Sequence, residues 1–243
     1  MRIAILAPGY PRPGAPDEYA FVHARALLYR AWGHEVAVFV PRPATEFAMD
    51  GVPVSWAPAR ELADRIRRFR PDALAHHAPN FRTIPAARRV DCRQVSWLHG
   101  HEVLFSLRRV HYVSGPWARL FKLAKLLPLN FYQLALARGF LPSQDRLVFV
   151  SDWMRRAAER HTRRQYPKAV VIPNPVDTEL FSYRLDPANL HRGVAARSFN
   201  STKYGLDLAI RAFAGLTAAD LTIVGSGPLA DRFARLIAET GAN

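Results

Sequence analysis

The chain has 243 residues, which is enough for one large domain or two small ones. Hydrophobic residues make up 49% of it, so the chain can bury a sizeable core and intrinsic disorder is disfavoured. The 34 Lys and Arg outnumber the 20 Asp and Glu, and the formal charge of +14 favours anionic partners. Nucleic acid is disfavoured, because no nucleic-acid motif or aromatic-interleaved basic platform accompanies that charge.

The cysteine content and the N-terminus indicate a cellular compartment. The single cysteine, Cys92, excludes an internal disulfide and fits a reducing environment. The first apolar run, residues 3–7, is broken by Pro8 and Gly9, too soon for a signal peptide or a membrane span. We therefore expect a cytoplasmic protein.

Strand-like and helix-like stretches alternate from the N-terminus, which predicts an α/β protein with a parallel sheet. Residues 2–7 and 35–40 are apolar runs typical of buried parallel strands. Residues 8–16 between them predict a loop, and Asp17 is expected to cap the helix that follows. Gly14 lies in this loop, where a glycine either lets the backbone approach a phosphate or simply permits a surface turn.

Two more predicted strands end in histidines. Residues 71–77 end in His76-His77, and residues 95–98 are followed by His99. Ligands of open parallel sheets bind beyond the carboxyl ends of the strands, so His99 is a candidate for contacting a ligand hydroxyl. The alternative is a histidine that bonds the local backbone. No metal is expected, because adjacent histidines of a strand point to opposite faces and no set of Cys or carboxylates completes a site.

The region from residue 104 to residue 141 is the least regular. Residues 117–127, from Trp117 to Leu127, predict a helix with an apolar face and basic residues on its flanks. Such a helix could lie on anionic lipid, pack on its own domain or cover a cleft. Pro128 is expected to end it, and it is too short to span a bilayer.

The second half of the chain repeats the α/β pattern. Residues 147–151 predict a strand, residues 152–165 a helix and residues 169–172 a short buried strand that Pro173 and Pro175 end. Strands are expected again at 193–197 and 221–224, and helices at 206–216 and after Pro228. Arg197 and Lys203 follow the first of these strands, as a diphosphate-binding pair or as two exposed cations.

Several of these stretches together resemble the family-4-like GT-B glycosyltransferases. Val171-Ile-Pro-Asn-Pro-Val-Asp177, followed by Phe181, is similar to the centre of that family, although Pro175 replaces a glycine. Gly33-His34-Glu35-Val36 matches the family's opening in full, and Gly14 matches the first glycine of its Gly-Gly loop. His99-Gly100 is similar to the motif that follows the family's fourth strand.

This resemblance implies two Rossmann-like domains facing a cleft, an acceptor-side domain over residues 1–180 and a nucleotide-sugar donor domain over residues 181–243. It implies a metal-independent transfer, without a cofactor, from a nucleotide-diphosphate sugar to a hydroxyl acceptor with retention at the anomeric carbon. His99 would reach the donor sugar, the Gly14 loop would lie beside the phosphates, and Arg197 and Lys203 would hold the diphosphate. Lys203 follows Arg197 by six residues, one more than in the family, and Tyr204 precedes the glycine.

The family's pattern also continues beyond Asn243, where its Glu-x7-Glu segment would face the donor. About the last third of that pattern is missing, so we expect a truncated chain that is not a competent enzyme by itself. Two alternatives remain. A nucleotide-sugar epimerase of the same shape would convert the donor without an acceptor, and the chain could serve as a non-catalytic acceptor-binding module.

Overall fold

A computed structural model describes residues 1–107, 110, 115–184, 186–216 and 218–241. The described residues form two compact units, of which the first ends at Asp177 and the second begins at Thr178. Each unit has a sheet of its own, with eight strands in the first and two in the second. The prediction of an α/β protein with parallel sheets is confirmed.

The first unit is built on a sheet with the strand order β3-β4-β2-β1-β5-β6-β7-β8. Every neighbouring pair is parallel except β3 and β4, which are antiparallel. The strands are β1 Arg2–Leu6, β2 Glu35–Pro41, β3 Thr45–Met49, β4 Val52–Ala57, β5 Ala73–His77, β6 Arg93–Leu98, β7 Arg146–Phe149 and β8 Ala169–Val171.

Both faces of this sheet are covered by helices. Successive residues of β1 alternate between the faces, because side chains of a strand point to opposite sides in turn. Ile3 and Ile5 pack with α1, whereas Ala4 and Leu6 belong to the cluster formed with the other helices. The helices are α1 Ala20–Ala31, α2 Ala59–Phe69, α3 Ile84–Ala87, α4 Pro116–Gly139 and α5 Asp152–Thr162.

The hairpin of β3 and β4 was not among the predicted strands. Asp50 and Gly51 connect the two strands, and both have positive φ, 46° and 74°. Asp-Gly between two strands is a strong hairpin signal, because a tight two-residue turn requires positive φ at both positions. The signal was therefore in the sequence, but β3 is short and its residues, Thr-Glu-Phe-Ala-Met, do not alternate between polar and apolar.

Two predicted details at helices are wrong. Asp17 does not cap α1, which begins at Ala20 after Tyr19 in the left-handed region with φ 53°. The segment before it is held instead by ion pairs of Glu18 with Arg12 and Arg42.

Pro128 does not end a helix either, because α4 continues through it from Pro116 to Gly139. A proline inside a helix costs about 3 kcal/mol. Packing offsets that cost on the inner side of α4, where Leu126, Asn130 and Gln133 are buried. The proline itself lies on the exposed side, so the carbonyl that it leaves unpaired can bond water.

The segment 169–172 forms a strand as predicted, but its expected burial is wrong. Val170, Val171 and Ile172 are each about 40% exposed. The reason is their position, since β8 is the last strand of the sheet and pairs only with β7.

The second unit contains one layer of helices on a small parallel sheet. Its strands are β9 Arg192–Ala196 and β10 Asp220–Val224, and its helices are α6 Leu206–Ala214 and α7 Ala230–Thr240. Leu206, Ile210, Phe233 and Leu236 form its core with one face of the sheet. The other face is open, since Val194 and Val224 are exposed.

Candidate active site

The turn after β6 holds the predicted site residue His99. Gly100 follows with φ +105°, a conformation that residues with a side chain rarely adopt. The carboxylate Oε2 of Glu102 accepts a hydrogen bond of 3.0 Å from the backbone N–H of His99. The chain is thereby turned sharply at the carboxyl end of β6, and the imidazole of His99 is fixed there.

Glu102 is a site residue that the sequence analysis did not identify. It is buried, and its Oε1 has no hydrogen-bond partner. Burial raises the pKa of its carboxyl to about 7, against the hydrogen bonds from the backbone of Glu102, His99 and Gly100. The available sequence signal is the spacing alone, because a Glu can accept a hydrogen bond from the backbone N–H three residues before it, as the Glu of a capping box does.

His99 is joined to a second histidine from the neighbouring strand. Nδ1 of His77 lies 3.1 Å from Nε2 of His99, so one imidazole donates a hydrogen bond to the other. The ring of His77 also stacks on Trp97, with centroids 5.4 Å apart and planes at 6°. Nδ1 of His99 is therefore the ring nitrogen left to meet a ligand.

His76 points to the opposite face of the sheet, as the strand geometry predicts. Its Nε2 lies 2.7 Å from Oγ1 of Thr83, and its ring contacts Phe140 edge-on. Burial lowers its pKa to about 3. His76 is thus a core histidine, and no group of three metal-ligating side chains occurs anywhere in the described part of the chain.

Arg25 of α1 is another site residue that the sequence analysis missed. Only 3% of its surface is exposed, and its guanidinium carbon lies 3.6 Å from the centre of the Trp97 ring. Its Nη2 donates a hydrogen bond of 3.0 Å to the carbonyl of Pro173. Burial lowers the pKa of its guanidinium, and the neighbouring Tyr29 opposes that effect. A cation on the buried face of α1, beside Val22 and Ala26, was the only sequence signal.

Burial and the positive charge of Arg25 together hold His99 neutral. They lower the pKa of His99 to about 4, and burial is the larger cause. The same two influences, with His99 itself, lower the pKa of His77. At neutral pH both rings are therefore uncharged, and each can donate one hydrogen bond and accept another.

Replacing Arg25 by Gln should raise the pKa of His99 by about one pH unit, because a nearby cation is removed. The value should remain below 6.5, since burial persists. The measurement is an NMR titration of the His99 ring against pH. Arg25→Lys is the matched control, because it keeps the charge and loses the planar fork, and its His99 should titrate like the parent. Equal His99 titrations in the Gln variant and the parent would contradict this role of Arg25.

Gly14 lies in a tight turn of the loop after β1. The backbone N–H of Ala15 donates a hydrogen bond of 2.9 Å to the carbonyl of Arg12. With Pro13 second and Gly14 third at φ +80°, the four residues have the pattern of a type II turn. The turn alone explains the glycine, and α1 begins six residues later, so Gly14 does not sit at the N-terminus of that helix.

The Gly14 turn and the β3–β4 hairpin line an open groove of about 680 Å³. Its walls are largely apolar, and Phe47 contacts Trp56 edge-on with centroids 5.4 Å apart. Arg12 supplies a charged group at the rim, where it pairs with Glu18. Gly14 therefore lies beside the β3–β4 hairpin, whereas His99 follows β6, and β2, β1 and β5 lie between β4 and β6 in the sheet.

The second unit brings the predicted pair of cations together. The guanidinium carbon of Arg197 lies 5.8 Å from the centre of the Tyr204 ring, and Nζ of Lys203 lies 4.6 Å from it. Both cations are exposed and follow β9, at the carboxyl end of this sheet. The extra residue of the loop therefore does not separate them, because Tyr204 provides a ring that both contact.

The loop after β10 contains Gly225 and Gly227, where close packing leaves no room for a side chain. A Cβ at Gly225 would lie 1.9 Å from the carbonyl oxygen of Arg197, and one at Gly227 would lie 2.8 Å from the carbonyl carbon of Phe199. The two loops pack backbone against backbone, joined by a hydrogen bond of 2.8 Å from the N–H of Phe199 to the carbonyl of Ser226. This packing fixes the backbone of Arg197.

Comparisons with known proteins identify the fold and the family. The sequence model of Glycosyltransferase Family 4 matches residues 5–180. The solved structure of a glycosyltransferase from Rickettsia africae ESF-5 has 15% identity and a TM-score of 0.62, and the match covers 99% of this chain and 65% of that one. The lipopolysaccharide outer core galactosyltransferase WaaB, in its apo form, has 14% identity and a TM-score of 0.59 with the same coverages.

These structures show the shared GT-B fold, and this chain spans 65% of the length of either one. A comparison with curated proteins gave no match. The family model covers well over half of the chain, including the strands and turns that carry Gly14 and His99. The chain therefore belongs to Glycosyltransferase Family 4.

Proposed function

We propose that this chain is part of an enzyme that transfers a sugar from a nucleotide-diphosphate sugar to a hydroxyl acceptor. The observation that carries the proposal is the convergence of Arg197 and Lys203 on Tyr204 at the carboxyl end of β9. Ligands of open α/β sheets bind beyond that end of the strands. Two exposed cations held within one loop suit the two phosphate groups of such a donor.

The proposed chemistry breaks the bond between the anomeric carbon and the diphosphate oxygen. The acceptor hydroxyl oxygen forms the new bond to that carbon and gives its proton to the diphosphate, which leaves with the electron pair of the broken bond. Arg197 and Lys203 stabilise the negative charge that develops on the leaving group. Two cations serve this purpose without a metal ion, and we propose transfer with retention at the anomeric carbon, as the family resemblance implies.

In this proposal His99 contacts a hydroxyl of the donor sugar through Nδ1. His77 fixes the ring by bonding Nε2, and Glu102 fixes the backbone of His99. A neutral imidazole suits a hydroxyl, because it can donate or accept a hydrogen bond. The Gly14 turn would lie on the phosphate side of the donor.

We propose that the working enzyme is longer than this chain, because the chain spans 65% of the solved structures that it resembles. The acceptor would be a glycan, a lipid-linked sugar or a small molecule. We place the enzyme in the cytoplasm, at the inner face of the membrane if the acceptor is lipid-linked.

The experiment that tests the proposal is product analysis of the longer enzyme with and without an acceptor. Transfer requires the acceptor, and the sugar should appear in a new glycoside only when one is present. An epimerase, the alternative of the same fold, would change the donor sugar in buffer that contains no acceptor.

A further inference from the structure

Helix α4 exposes an apolar stripe along its outward side. Its members recur three or four residues apart and therefore lie on one face of the helix. The exposed fraction is 81% at Trp117, 74% at Phe121 and 69% at Phe131. We call this surface the α4 stripe, and its residues are Trp117, Leu120, Phe121, Ala124, Leu127 and Phe131.

The inner side of α4 is fixed to the first unit, so the stripe cannot turn inward. Leu126 and Leu136 are buried there. Gln133 donates a hydrogen bond of 2.9 Å from Nε2 to the carbonyl of Leu104, and Oδ1 of Asn130 accepts one of 2.7 Å from the N–H of Ser106. Rotating the helix would break these buried contacts. The outward direction of the aromatic side chains is therefore a property of the folded unit.

Charge determines what can cover the stripe. Helix α4 contains Arg119, Lys122, Lys125 and Arg138 and no acidic residue. Over residues 116–168 there are 11 Lys and Arg against 3 Asp and Glu. An apolar face flanked by cations is complementary to anionic headgroups above acyl chains. A second copy of the chain would instead bring two basic helices face to face.

The length and the aromatic residues of the helix indicate how it would bind. No helix among the described residues is long and apolar enough to cross a membrane. Trp prefers the boundary between headgroups and hydrocarbon, where a large ring can be half-immersed. A helix that lies flat would place Trp117 and the two phenylalanines of the stripe in that layer.

We propose that the α4 stripe binds the headgroup layer of an anionic membrane, with α4 lying parallel to the surface. Such binding would place the enzyme beside lipid-linked acceptors. Only this catalytic consequence rests on the proposed function. Binding itself requires no sugar transfer. It can therefore be measured with this chain alone, and a failed activity assay would leave it standing.

The test is co-sedimentation of the 243-residue chain with vesicles. Vesicles of phosphatidylcholine with about 30% phosphatidylglycerol should bind the chain, and pure phosphatidylcholine should bind much less. Raising the salt from about 0.1 M to about 0.5 M should release most of the bound protein, because exposed charges are then screened. Equal binding to both kinds of vesicle, or none to either, would overturn the proposal.

The stripe is tested by the double variant Trp117→Ser with Phe121→Ser, which should bind anionic vesicles at least about tenfold more weakly. Both side chains are exposed, so the fold should persist, and far-UV circular dichroism checks this. The matched control is Trp32→Ser, because Trp32 is 62% exposed but follows α1 on the other face of the sheet.

Unchanged vesicle binding by the double variant would overturn the assignment to α4. Light scattering tests the other occupant. The parent could be a dimer that binds no vesicles, with the double variant a monomer. That result would show that the stripe pairs with a second copy, and it would refute the membrane proposal.

Discussion

Replacing Arg197 or Lys203 by Ala in the longer enzyme should lower kcat about a hundredfold, since removing one preorganised charge-stabilising donor has effects of that order. Each cation would face the diphosphate while negative charge develops on it. The two cations would therefore stabilise the transition state more than the bound substrate. The loss should therefore appear in kcat more than in KM. Steady-state kinetics with a saturating donor gives the comparison.

Arg211→Ala is the matched control for these two variants. Arg211 is an exposed arginine in the last turn of α6, at the opposite end of that helix from Lys203. Its loss changes the net charge equally but should leave the rate nearly unchanged. If all three variants kept near-normal rates, Arg197 and Lys203 would not hold the leaving group.

The 243-residue chain alone should show no multiple turnovers with any nucleotide-sugar donor. Transfer requires the donor and acceptor in reactive geometry, and this chain spans 65% of the solved structures that it resembles. Nucleotide release in the presence of candidate donors and acceptors is the measurement. Turnover at ordinary enzyme rates would show that the chain is complete for catalysis.

The control for this experiment must show that the chain is folded. The second unit leaves Val194, Leu208 and Val224 exposed, and patches of this kind favour self-association. Light scattering and circular dichroism should therefore accompany the assay. A folded, monodisperse chain without turnover supports the prediction, whereas an aggregated sample requires repetition at lower concentration.

Most elements of the fold could be predicted from the sequence because their apolar periods are strong. The β1, β2 and β6 strands and helices α5 and α6 lie where those periods place them. The β3–β4 hairpin had a local signal that was missed, but two other missed features depend on long-range contacts. Pro128 is tolerated because the inner side of α4 is packed, and residues 169–172 are exposed because β8 is an edge strand.

The candidate site was only partly predictable for the same reason. His99 could be identified from its position after a strand. Arg25 and His77 could not, since they come from a helix and from another strand, whereas Glu102 is local and offered only its spacing as a signal. Likewise, the spacing of Arg197 and Lys203 departs from the family, and only the structure shows that Tyr204 joins them.

The most direct test of sugar transfer is NMR analysis of the product made by the longer enzyme from an α-linked nucleotide sugar. We predict a new glycoside with the α configuration, formed only in the presence of a hydroxyl acceptor and accompanied by one nucleotide diphosphate per sugar. A donor sugar that changes its configuration in acceptor-free buffer, with no diphosphate released, would contradict the account.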